Sequence, residues 1–237
     1  MTEERVADIR AHAIKSSMAM KTQACNETGS AADFLPAAAT LAALAVAAEK
    51  CHGCTLYCHA TQVVFGSGPK NAKLMLIGEQ PGDQEDLAGL PFVGPAGRVL
   101  DQALESAGIR RQDVYVTNAV KHFKFEPRGK RRLHKKPSGR ETAACRPWLE
   151  AEIKVVKPRM IMCLGATAAQ SLLGSSFRLT LHRREVIEDT PWAPALMASI
   201  HPSLLLRIPD AEQRHKAMAD FIDDFKMAAR RLKKVST

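Results

Sequence analysis

The chain has 237 residues, 46% of them hydrophobic, and its 34 Lys and Arg against 25 Asp and Glu give a formal charge of +9. That is enough apolar material for one sizeable core, and one domain is expected. No apolar run reaches the roughly eighteen residues a membrane-spanning helix needs. No basic-then-apolar leader opens the chain, so a cytoplasmic protein is expected, with its six cysteines as thiols or metal ligands.

In chain order, residues 1–32 read as an N-terminal extension. Thr2–Met20 has a helical pattern, and Cys25–Asp33 is small and polar like a linker, with Cys25 a free thiol. The domain proper, residues 33–237, opens with a helix over Pro36–Lys50 that delivers Cys51-His52-Gly53-Cys54, followed by a short extended segment over Thr61–Phe65. Four apolar runs come next: Leu74–Ile77, Val114–Thr117, Met160–Leu164 and Leu196–Ile200. Continuous rather than alternating apolarity marks strands buried on both faces, hence a parallel sheet. Helical patterns lie between and after them, over Gly94–Ala107, Arg140–Val156, Ala166–Leu173 and Ala211–Lys233. The expected fold class is α/β, a three-layer α/β/α sandwich around a four-stranded parallel sheet. Its ligands belong beyond the carboxyl ends of the strands. Glu79, Asn118 and His201 follow three of those ends.

The charge is local. Lys121–Arg140 holds nine Lys and Arg against one acid, Glu126, a net +8 within a chain of +9. Such a patch is the footprint of a polyanion, most commonly a phosphate backbone, though a solvated basic loop has the same composition. Here the run also carries His134, Phe123 and Phe125, and it lies between two candidate metal ligands, His122 and Cys145.

Cys51-x-x-Cys54 alone leaves zinc, a redox pair and chance open. No second close pair follows, so no zinc ribbon is formed. Distant partners at His122 and Cys145 can instead close a [4Fe–4S] site, with Cys58 and Cys163 as competitors. Cys163 lies inside an apolar strand and reads as a small hydrophobe. The acidic Gly78–Asp86 turn follows the first strand, and Phe92 before Gly94 either stacks a flat ligand or fills the core. Asn118 has an amide able to read a base edge. His201 either stabilises charge on a leaving group or is a satisfied structural histidine.

The motifs GEQPGDQED, PFVGPAG, the Asn118–Cys145 block, LGATAA at Leu164–Ala169 and HPSLLLR at His201–Arg207 resemble those of the iron–sulfur uracil-DNA glycosylases, over roughly residues 34–232. Two departures from family 4 of those enzymes, His122 in place of a cysteine and the inserted KRRLH loop with Gln80 before it, look like family X. Members of that family become covalently joined to DNA; Leu133 replaces their usual isoleucine.

The resemblance implies uracil-containing DNA as partner, single-stranded and also double-stranded, a monomer, and a [4Fe–4S] cluster on Cys51, Cys54, His122 and Cys145. It places Gln80, Asp83, Phe92 and Asn118 at the base, Lys130, Arg131, Arg132 and Arg207 on the DNA backbone, and His201 beside the uracil anion. His134 becomes the nucleophile and Glu79 its orienting partner, with the loop cations lowering the pKa of His134. The alternatives are a turnover glycosylase that releases an abasic site and a non-catalytic metal protein that binds nucleic acid.

Overall fold

In the computed structural model, residues 29–38 and 40–234 are described, together with Cys25. The Thr2–Met20 helix expectation lies outside the described residues.

The four apolar runs form strands β1 (Leu74–Gly78), β2 (Val114–Asn118), β5 (Met160–Leu164) and β7 (Ala195–Ser199), each buried along its whole length. They pair in parallel in the order β2-β1-β5-β7. The sheet has five strands rather than the expected four, because β6 (Val186–Glu188) pairs antiparallel to β7 as an edge strand. Three half-covered residues carry too little pattern to announce a strand.

Helices cover both faces, as a parallel sheet requires. On one face, α3 (Pro95–Ser106) and α7 (Ala211–Lys234) pack Leu100, Leu104, Phe221 and Phe225 against Leu76, Met162 and Met197. On the other, α4 (Gly139–Val156) and α5 (Ala166–Leu173) pack Leu149, Ile153 and Leu172 against Met75, Ile161 and Leu196. The helix expected from Pro36 starts later, as α1 (Leu41–Ala48), because the Thr40 side chain caps it by accepting from the Ala43 N–H. Thr61–Phe65 forms no strand; it is tied down by the Val64 N–H donating to the Lys121 carbonyl at 2.8 Å.

The acidic turn after β1 contains a short helix, α2 (Asp83–Ala88). The basic run contains an antiparallel hairpin of β3 (Phe125–Arg128) and β4 (Arg131–His134). Gly129, with φ +58, takes the first of the two central turn positions, where a tight hairpin turn favours glycine. A four-residue α6 (Leu179–His182) completes the set. Cys25, expected as a free thiol, is disulfide-bonded to Cys58, which removes Cys58 from the candidate metal ligands. The pairing joins residues 33 apart, a proximity that only the folded chain supplies.

Candidate active site

One cavity of about 720 Å³ lies beyond the carboxyl ends of the parallel strands, in the size range of a ligand pocket. Glu79, Gln80, Asp83, Phe92, Asn118, His134, His201 and Arg207 all line it; Lys130, Arg131 and Arg132 do not.

The floor is built by close backbone approach. Gly78 pairs with Asn118 across β1 and β2, and a Cβ at Gly78 would strike Asn118 Oδ1 and come within 2.8 Å of the Phe92 ring. Glycine there lets an amide and an aromatic ring meet. Phe92 itself has φ +57, a strained conformation for a bulky residue and of the kind that gathers at functional sites. Glu85 holds that turn: Oε1 accepts from the Gly94 N–H at 2.7 Å and Oε2 from the Gly82 N–H at 3.1 Å.

His201 and Phe92 stand with ring centroids 6.1 Å apart. The Ser203 N–H, which can only donate, points at His201 Nδ1 from 3.2 Å, and Ser203 Oγ lies 2.8 Å from the same atom. Nδ1 is therefore an acceptor, and the neutral ring carries its proton on Nε2. Burial, with help from His134 and Arg207, lowers the His201 pKa to about 4, so the ring is neutral at pH 7.

At the opposite wall, His134 Nε2 lies 3.4 Å from Glu79 Oε1, and the other Glu79 oxygen accepts from Thr167 Oγ1 at 2.5 Å. Burial is the main cause that holds His134 below its ordinary 6.5; Arg207 adds to it and Glu79 opposes it. The cation that acts on His134 is Arg207, from the segment after β7, rather than the neighbouring loop cations expected from the sequence.

Three of the assigned side chains are already engaged by the protein's own groups. The Gln80 amide is not free for a base: Nε2 donates to the Lys124 and Lys135 carbonyls at 3.1 and 3.0 Å, and Oε1 accepts from the Lys124 N–H at 3.0 Å. It stitches the turn after β1 to the base of the hairpin. Arg132 and Asp83, assigned to the DNA backbone and the base, meet each other at 2.6 Å. Arg132 also reaches the fully buried Asp86 at 2.6 Å and lies over the Phe123 and Phe125 rings. A guanidinium spent on two carboxylates and two rings fixes the hairpin on α2. Lys130 and Arg131 stay exposed near the hairpin turn.

Cys51, Cys54 and Cys145 share one apolar cluster with Trp148 and Val120. Each sulfur receives an N–H: Trp148 Nε1 to Cys51 at 3.2 Å, the Lys121 backbone to Cys145 at 3.2 Å, and the Leu56 backbone to Cys54. Burial pushes Cys145 up to about 12 and raises Cys54, so these thiols lose their protons only to a bound cation. His122 is buried and lowered to about 4, the neutral form a metal ligand requires; the charge that acts on it is Asp86. Among the described residues, no group of three or more His, Cys, Asp or Glu converges as ligands of a single ion do. Ligands of a four-iron cluster each bind a different iron and stand further apart, so three soft, hydrogen-bonded sulfurs in one cluster fit that group better than a single ion. Cys163 is packed within the sheet as a hydrophobe.

Residues 65–226 match the model of the uracil DNA glycosylase superfamily. The chain belongs to that superfamily. Among relatives, type-4 uracil-DNA glycosylases from Thermotoga maritima, Archaeoglobus fulgidus and Pyrobaculum aerophilum are 38%, 34% and 40% identical to it. The matches cover 73%, 70% and 68% of this chain and 86%, 83% and 82% of those proteins. Within the superfamily assignment, the residues that sequence reasoning passed over are Thr167, Ser203, Glu85 and Asp86. All four lie inside motifs already singled out, but their tasks depend on partners no motif states.

Proposed function

We propose that this protein excises uracil from DNA and is captured by the product, forming a covalent bond between His134 and C1′ of the abasic sugar. The observation that carries the reading is the His134 ring 3.4 Å from Glu79 in the cavity that also holds Asn118, Phe92 and His201. The names of the relatives support the glycosylase half; the capture half rests on this geometry.

A uracil turned out of the stack enters between Asn118, which pairs with its polar edge, and Phe92, which stacks on its face. As the C1′–N1 bond breaks, its electron pair goes to uracil, and the Nε2–H of the neutral His201 donates to the developing anion. Glu79 offers negative charge to the sugar cation. The lone pair of the neutral His134 ring forms the bond to C1′, and the other ring proton passes to Glu79. The product is a protein–DNA adduct and free uracil, one event per protein. The exposed Lys130 and Arg131 hold the phosphate backbone, and Arg207 does so at the pocket mouth. One chain suffices, since every residue used comes from it. The substrate is uracil-containing DNA, single-stranded and also double-stranded, and a cytoplasmic setting fits this task.

Cys51, Cys54, His122 and Cys145 would hold a [4Fe–4S] cluster, which supplies no electrons to a reaction that moves none and ties the Cys51–Cys54 loop to β2 and α4. His122→Ala is expected to lower iron content and brown colour before it lowers uracil release. Full iron with full activity in that variant would remove His122 from the ligand set.

Mixing the protein with a labelled uracil-containing oligonucleotide and boiling in detergent tests the capture. A heat-stable shifted band, absent with the thymine-containing control, is expected. Free abasic product without such a band would leave a turnover glycosylase, and no uracil release from any DNA would leave a binding protein.

A further inference from the structure

We propose that Thr167 is a positioning residue that sets which way the Glu79 carboxylate faces, and thereby whether His134 or water captures the sugar. The inference rests on the capture reading above and assigns a task to a hydroxyl that the mechanism otherwise leaves unused.

Thr167 sits in the first turn of α5, buried. Its Oγ1 donates to Glu79 Oε2 at 2.5 Å, and Glu79 Oε1 faces His134 Nε2 at 3.4 Å. The two carboxylate oxygens thus meet side chains from two different segments, α5 and β4. The Glu79 main chain is fixed as well, because its carbonyl accepts from the Val120 N–H at 3.0 Å. What remains free is the side-chain torsion, and the Thr167 hydroxyl removes that freedom. A β-branched side chain has few rotamers in a helix, so the donor itself is well placed. The turn it stands on is anchored beside the other catalytic group: Gly165, the residue before α5, has φ +96, and a Cβ there would lie 3.2 Å from His201 Cβ.

Two outcomes compete once the C1′–N1 bond opens. In capture, the imidazole lone pair forms the C1′–N bond and the second ring proton goes to Glu79. In hydrolysis, a water oxygen forms the C1′–O bond and the water proton goes to the same carboxylate. A carboxylate pinned by Thr167 keeps Oε1 on the imidazole. One released from Thr167 can turn to a water in the cavity, which is wide enough to hold several.

The test reads both products in single-turnover reactions with a labelled uracil oligonucleotide: the adduct on a denaturing gel, and free abasic DNA by alkaline cleavage. Thr167→Val keeps the shape and removes the hydroxyl, and Thr167→Ser keeps the hydroxyl. For Thr167→Val, adduct formation is expected to slow roughly tenfold or more, the size of a lost hydrogen bond to a charged group, and the free abasic fraction to rise. Thr167→Ser is expected to restore both to within about twofold of wild type on the same reasoning. A Thr167→Val protein with wild-type partition overturns the proposal. So does equal impairment of the two variants, or a loss of total uracil release with unchanged partition, each of which gives Thr167 a merely structural place. If the wild type itself makes no adduct, the capture reading fails and this inference with it; a normal wild-type adduct beside an unaffected Thr167→Val overturns the inference alone.

Discussion

His134→Ala is expected to give no heat-stable band with uracil DNA while still releasing uracil and leaving free abasic product. The substitution removes the imidazole that faces Glu79 Oε1 but leaves the groups proposed to recognise the base: Asn118 stays at the end of β2, Phe92 in its strained turn, and His201 in its Nε2–H form. Glu79 keeps its bond from Thr167, and water fills the volume the ring vacates. The wild type should also show a one-sided pH dependence. His134 attacks as the neutral ring, and burial holds its pKa below 6.5, so adduct formation is near its plateau at pH 7. It falls as pH drops through that lowered pKa, where the ring takes up a proton and loses its lone pair. His201, lowered to about 4, is neutral at pH 7 as well. Adduct yield against pH for the wild type, beside product analysis for His134→Ala, checks both statements. A band from the variant, or an adduct rate that rises as pH falls, would sink the assignment of His134 as nucleophile.

The parallel sheet was legible because burial on both faces leaves a continuous apolar run, and four such runs needed no partner to be read. Ala166–Leu173 appears as a helix with those same ends. The hairpin was hidden for the opposite reason. Phe-Glu-Pro-Arg and Arg-Arg-Leu-His alternate poorly, and Pro127 speaks against a strand except in a two-stranded edge ribbon like this one. Charge was the harder case. A run of cations reads as a phosphate footprint when the acids that claim one of them lie elsewhere; Asp86 is 46 residues from Arg132. The Gln80 amide was open to misreading in the same way, because the carbonyls that hold it are 44 and 55 residues away. Residue types at strand ends located the cavity. Which of those residues line the cavity and which meet each other depends on pairings between distant segments.

The largest stability effect is expected from a pair that no motif singles out. Lys121 and Glu152, both fully buried, meet at 2.5 Å. The ammonium uses its three donors on Glu152 Oε2, Thr117 Oγ1 at 2.6 Å and the Asn118 carbonyl at 2.8 Å. Glu152 Oε1 accepts from the Gly66 N–H at 3.0 Å and the Tyr115 hydroxyl at 2.9 Å, which, with burial, holds the Tyr115 phenol far above its ordinary pKa. Removing one member leaves an uncompensated charge in the core, so Lys121→Met should cost about 3–5 kcal/mol in urea unfolding. Lys121→Met with Glu152→Gln should recover much of that, because a neutral amide oxygen still accepts from Gly66 and Tyr115. A single variant within about 1 kcal/mol of wild type would mean that the pair is neutralised in the native protein. The position of Lys121 gives the stability effect a functional reach. Its side chain holds the carbonyl of Asn118, which lines the cavity, while its backbone N–H points at Cys145 Sγ. A protein that loses this ion pair should therefore lose cluster retention and uracil recognition together, whereas His122→Ala lowers the first more than the second. That difference separates a lysine that joins the two sites from a ligand that belongs to one.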